Sequence, residues 1–135
     1  DTDDDHGYLL RPLRFGKALQ KVVQCCIFQR HRTEVCVACL RGAPVSPEHT
    51  RQVLDQAQRM LRADFDCAEW FALHPEAKAR GFRCTFRSPT AFEDLVKTIT
   101  LCNMKWSGTV RMNRLLCAVV GRGGAFPTAH ELATP

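Results

Sequence analysis

The sequence predicts an α+β chain: a small antiparallel sheet with helices, followed by a series of further helices. Three observations carry that prediction. Two β-branched, cysteine-rich runs flank a polar stretch near the amino-terminal end. Apolar residues recur at helical spacing from Val53 onward, and helix-starting residues precede each later apolar stripe. At 135 residues the chain can bury roughly two thirds of its unfolded surface, as one domain or as two small halves.

The acidic start Asp1-Thr2-Asp3-Asp4-Asp5 makes residues 1–7 a flexible segment. Residues 8–15 alternate loosely and fit a strand. Residues 22–28 and 34–40 are richer in β-branched side chains, and the polar run 29–33 between them fits a hairpin loop. Residues 41–44 end the sheet. Ser46-Pro47-Glu48 opens a helix: Ser46 can cap, Pro47 suits the first turn, and Glu48 favours the positive end of the dipole. Val53, Leu54, Ala57, Met60 and Leu61 then mark one buried face. A shorter helix over residues 66–74 carries Trp70, Phe71 and Leu73 and is stopped by Pro75, which closes an amino-terminal α+β domain over residues 8–75. His49 and His74 lack partners at ligand spacing and serve as surface or packing histidines. Residues 76–87 form a basic connector that turns at Gly81.

Residues 88–135 form the second, helical region. Its first helix begins either with Ser88 as cap and Pro89 in the first turn, or with Thr90 and Glu93 as a capping box. Phe92, Leu95, Val96, Ile99 and Cys102 make its apolar stripe, and Glu93, Asp94 and Lys97 lie off it. The helix breaks over residues 103–108. A second helix follows, with Met112, Leu115, Leu116 and Val119 on one face, Arg111 and Arg114 elsewhere, and Gly121 at its end. After Gly123-Gly124, Thr128 and Glu131 make a capping box for a further helix.

The net charge of +5 is uneven. Residues 78–122 hold nine Lys or Arg against Glu93 and Asp94, a local +7, and such an excess attracts a polyanion such as nucleic acid. The break between the two helices concentrates useful chemistry: Asn103 offers donors and acceptors on a short side chain, Lys105 a cation and Trp106 a flat apolar surface. The alternative is that Trp106 packs inward, Asn103 caps a helix end and Lys105 is merely solvated.

Eight cysteines suggest a disulfide framework only in a secreted protein, and the acidic start is the opposite of a signal peptide's basic region. Reduced, mostly buried thiols are expected. Cys36-Val-Ala-Cys39 has CxxC spacing, yet positions three apart face opposite sides of a strand, and no second CxxC or His pair follows. No metal or other cofactor is expected. No apolar run reaches the roughly 18 residues of a membrane crossing. The chain does not begin with Met and stops soon after a helix start, so a fragment of a longer product is expected.

The string Phe86-Arg-Ser-Pro-Thr-Ala-Phe-Glu-Asp-Leu-Val-Lys-Thr-Ile-Thr-Leu-Cys-Asn103 resembles the opening of the helix-hairpin-helix (HhH-GPD) base-excision DNA glycosylases, especially plant and algal members similar to oxoguanine-type enzymes. Trp106-Ser107, Met112, Leu115, Leu116 and Cys117 continue the likeness without a gap, and so do Phe126-Pro127-Thr128 and Glu131-Leu132-Ala133. The stretch Glu76-Ala-Lys-Ala-Arg-Gly-Phe82 is similar to the connector of the plant group, which extends the likeness over residues 59–133. The resemblance implies that residues 88–135 are the first helices of an incomplete all-α HhH-GPD domain. It implies a base-excision repair protein of the nucleus, a monomer, that binds double-stranded DNA containing a damaged base, flips that base and excises it.

Under that resemblance Asn103 stands where oxoguanine-type members place the asparagine that fills the gap left by a flipped base, a polar plug that recovers part of the lost pairing. Lys105, Trp106, Arg111 and Arg114 are added to the expected DNA-binding set from their own chemistry, as cations for phosphates and a flat apolar surface. Gly108 stands where those enzymes use an arginine to read the orphaned base, and Met104 and Lys105 replace further asparagines. The family's catalytic lysine and aspartate lie beyond the helix that starts at Pro127, so no catalytic residue is assigned, and the uncovered stripe Phe92, Leu95, Val96 and Ile99 favours aggregation. Two other readings stand beside this one. One is a non-catalytic DNA-binding remnant, and the other is a metal or redox module built on Cys25, Cys26, Cys36 and Cys39.

Overall fold

A computed structural model describes residues 7–31 and 33–134. The acidic segment expected to be flexible, apart from Gly7, lies outside the described residues. Strands β1 (Tyr8–Phe15), β2 (Lys21–His31) and β3 (Glu34–Gly42) form a three-stranded antiparallel sheet in chain order. A tight turn over Lys17–Leu19 joins the first two, entered through Gly16 at φ 80°. The loop expected over residues 29–33 is largely strand, because Gln29 and His31 still pair with Val35 and Glu34 across an irregularity in the ladder. Polar side chains on an edge hairpin do not stop pairing when both faces of that end meet solvent.

Alternation along β1 and β2 sends Leu13, Phe15, Val23, Cys25 and Ile27 to one face, where they are buried. Helix α1 (Pro47–Leu61) lies on that face through Val53, Ala57 and Met60. Each of the larger side chains contributes about 1.5–3 kcal/mol by leaving water. Leu54, expected in that face, is exposed. Ser46 stands at the start of α1 without capping it by its side chain, because its hydroxyl is paired with His49 Nδ1 at 2.8 Å. His49 in turn packs on the Phe15 ring. The buried Gln56 amide accepts from the Arg14 N–H at 3.2 Å and donates to the Arg14 carbonyl at 2.5 Å, so α1 satisfies the free backbone edge of β1.

Helices α2 (Ala68–Leu73) and α3 (Pro75–Ala79) follow, and Pro75 therefore starts a helix as well as ending one. Gly81 turns the chain at φ 70°. Helix α4 (Ala91–Leu101) is capped by Thr90, whose hydroxyl accepts from the Glu93 N–H at 3.2 Å. That decides between the two alternatives for this helix start, but the Glu93 carboxylate is drawn into ion pairs instead of closing a capping box. Helix α5 (Trp106–Leu115) runs on into a wider π-helical turn, Leu116–Val120. There Gly121 is required, because a Cβ would sit 1.9 Å from the Ala125 carbonyl oxygen. Helix α6 (Ala129–Ala133) has the expected capping box of Thr128 and Glu131. The chain is thus α+β, with a three-stranded sheet and six α-helices among the described residues. No helix among them is long and apolar enough to cross a membrane.

Candidate nucleic-acid interface

The hairpin formed by α4 and α5 stands against the sheet layer by its polar side. Glu93, buried, receives Arg11 of β1 and, at 2.5 Å, Lys97 one turn along α4. Asp94 receives Arg59 of α1 at 2.5 Å and the Ser88 N–H at 2.8 Å. Burial pushes the Asp94 carboxyl up, but hydrogen bonds from Ser88 and the Arg59 cation outweigh it and hold the carboxyl below its ordinary value. Arg14, buried on the far face of β1, donates to the Phe126 carbonyl at 2.9 Å and to Glu131 at 2.8 Å. The Glu131 carboxyl is likewise lowered: the Thr128 N–H and hydroxyl and the Arg14 cation overcome its desolvation. Three arginines of the first layer therefore hold three carboxylates in the first turns of α4 and α6, where acidic side chains also suit the helix dipole.

Sequence reasoning overlooked this network. The available signal was the placing of Arg14 between Leu13 and Phe15, since a charge in an otherwise core-forming strand needs a buried partner on the other face. The consequence for α4 is a partly inverted orientation, with Phe92 and Val96 of its apolar stripe half-buried. Its off-stripe residues Glu93, Asp94 and Lys97 face the protein, while Leu95 at 60% and Ile99 at 63% of full exposure face out.

The opposite end of the hairpin carries the five residues singled out from sequence. Residues 101–107 are all exposed. Asn103 follows the C-cap of α4 in the left-handed region, φ 52°, a conformation asparagine tolerates better than most residues. The N–H that closes this helix end belongs to Cys102, which donates to the Ile99 carbonyl, and the Asn103 side chain makes no hydrogen bond to a described residue. Trp106, the first residue of α5, is 72% exposed, so it does not pack inward. Lys105 is the N-cap of α5, and Arg111 and Arg114 are exposed along it; among the described residues none of the three has an ion-pair partner. By helical spacing Arg111 and Arg114 lie about 60° apart on α5, and Arg114 is the nearer of the two to Trp106.

α5 differs from α1, α4 and α6 in a second respect. Those three carry an acidic residue in the first turn, whereas α5 has none there and no side-chain cap. Its first N–H groups are therefore open to an external anion. A Cβ on Gly108 in that turn would meet the Met104 sulfur at 2.5 Å, the end of a flexible, half-exposed side chain that can swing aside. Between the hairpin and the sheet lies an open cleft of about 1300 Å³, with Tyr8, Phe28, Phe86 and Trp106 on its walls and Arg11, Glu93 and Lys97 on its floor. Cys117 also lines it, and burial together with the Glu93 charge pushes that thiol up against the opposing Arg11, Lys97 and Arg14.

Cys36 and Cys39 do not meet. Cys36 is opposite Phe28 and Cys39 opposite Cys25, on alternate faces of the sheet. Among the described residues no three His, Cys, Asp or Glu side chains are grouped to hold a metal. Comparison with known protein families, with curated proteins and with solved structures finds no match to this chain.

Proposed function

We propose that this chain carries the duplex-engaging hairpin of a base-excision DNA glycosylase, a nuclear protein that binds double-stranded DNA around a damaged base and flips that base out of the stack. The observation that carries the reading is the composition of one exposed apex. Asn103 in the left-handed region, a solvent-facing Trp106, an uncapped helix start and the cations Lys105, Arg111 and Arg114, none of which has an ion-pair partner among the described residues, are all exposed at the apex or along α5. Cations and open N–H groups suit phosphates, and a short amide beside a flat ring suits the space left by an extruded base. Bond cleavage is not assigned to these residues. Glu93, Asp94 and Lys97, the acids and amine nearest the cleft, are consumed in ion pairs and hydrogen bonds.

The test is fluorescence anisotropy with a labelled duplex at several salt concentrations. If Lys105, Arg111 and Arg114 each neutralise about one phosphate, log Kd varies with log salt by about 2.7 in magnitude, roughly 0.9 per contact. Replacing all three by alanine flattens the dependence. An unchanged slope in the triple variant places DNA elsewhere and sinks this assignment.

A further inference from the structure

Four cysteines lie on the β2–β3 ladder, and the register separates them. Cys26 is opposite Ala38 and Cys36 opposite Phe28, but Cys25 is directly opposite Cys39. Directly opposed residues of antiparallel strands have Cα atoms about 4.5–5.5 Å apart, inside the roughly 4.4–6.8 Å that disulfides span. The ladder is irregular at this point: Gln24 pairs with Arg41 and Cys25 with Cys39, which leaves Leu40 as the extra residue and gives the pair room to adjust. The two thiols differ in access. Cys25 is fully buried in the core beneath α1, and Cys39 is exposed on β3, an edge strand.

We propose that Cys25 and Cys39 are a peroxide-responsive dithiol that closes into a cross-strand disulfide, with Cys39 the sulfur that meets the oxidant and Cys25 the one that resolves it. The Cys39 thiolate attacks one oxygen of hydrogen peroxide, the O–O bond breaks, water leaves after protonation, and Cys39 becomes a sulfenic acid. The Cys25 sulfur then attacks the Cys39 sulfur, gives up its proton, and a second water departs as the S–S bond forms. Two thiols lose two electrons and one peroxide becomes two waters. The thiols are near enough to interact by charge and hydrogen bond, and burial first, then that interaction, pushes the Cys25 thiol up to about 12. Burial keeps Cys25 protonated and so slows the closing step at neutral pH.

The experiment treats the purified full chain with hydrogen peroxide, follows intact mass and thermal midpoint, and maps links by non-reducing digestion with fragmentation. The expected product is lighter by about 2 Da, melts about 5 °C or more higher, and returns to the starting mass with a dithiol reductant. The link persists in Cys26→Ser and Cys36→Ser and disappears in Cys39→Ser, a change at an exposed position that leaves the core intact. A link surviving in Cys39→Ser, a link that includes Cys36, or over-oxidation of Cys39 without any link overturns the proposal.

Discussion

In the sheet and α1, apolar side chains meet one another: Leu13, Phe15, Val23 and Ile27 lie under Val53, Ala57 and Met60. In α4 the arrangement is partly reversed: Glu93, Asp94 and Lys97 form charge pairs against the protein and Leu95 and Ile99 stand outside, while Phe92 and Val96 are half-buried. The first layer is held by the hydrophobic effect, and the second joins charge pairs to a smaller apolar contact at Ala125, Phe126 and Pro127. Amphipathic periodicity shows only that a helix has two faces; which face is inside is decided by what the neighbouring layer offers, and this sheet offers arginines.

Truncating one apolar residue in each region separates the two kinds of packing. Phe15→Ala opens a cavity in a sealed core and should cost about 3–5 kcal/mol by chemical denaturation. Ile99→Ala removes a side chain already mostly in water and should stay within about 0.5 kcal/mol. Equal losses would mean that the outward stripe is covered in solution, and a concentration-dependent midpoint would then identify self-association as the cover.

The charge pairs come next in size. Arg14→Met leaves Glu131 facing a desolvated gap and the Phe126 carbonyl without its donor, so a loss of about 3 kcal/mol is expected. Arg14→Met with Glu131→Gln should recover part of it. The same pairs set the acid limit of the fold. Asp94 and Glu131 have folded-state pKa values below their unfolded ones, so their stabilisation is complete above the unfolded values and is lost as pH falls through the folded ones. Unfolding midpoints followed downward from pH 5 should fall, and fall less in Asp94→Asn, which begins from a lower plateau. A flat acid limb in the unaltered chain would remove these carboxylates from the account.

Much of this architecture is legible in the residues. The strands at Tyr8–Phe15 and Glu34–Gly42, the stripe Val53, Ala57 and Met60, and the Thr128–Glu131 capping box follow from periodicity and cap chemistry, which act within a few residues. The Arg11–Glu93, Arg59–Asp94 and Arg14–Glu131 pairs join residues far apart in sequence, and no local pattern announces which arginine meets which acid. The meeting of Cys25 with Cys39 escapes notice for the same reason, because a one-residue irregularity in the ladder selects Cys39 over its neighbours. At the hairpin apex the residue types are plain from sequence, but their exposure is not. Trp106 could fill a core as readily as stand clear of one, and only the inward turn of the polar face leaves the apex projecting.

Asn103 is where the structural and the DNA-binding accounts can be separated most finely. Its left-handed backbone alone would favour asparagine or glycine, so Asn103→Ala should cost about 1 kcal/mol of stability from the added strain, and Asn103→Gly should cost little. Both variants delete the amide. If the residue serves only to turn the chain, glycine restores everything that alanine removes, including affinity for a duplex with an abasic gap. If the amide occupies the space of a flipped base, both variants bind that gapped duplex equally poorly while binding undamaged duplex as before, because phosphate contacts from Lys105, Arg111 and Arg114 are untouched. The readout is the ratio of the two affinities, in which a general loss of stability cancels. A glycine variant with an unchanged ratio would leave Asn103 a turn residue and move base recognition to another part of the protein.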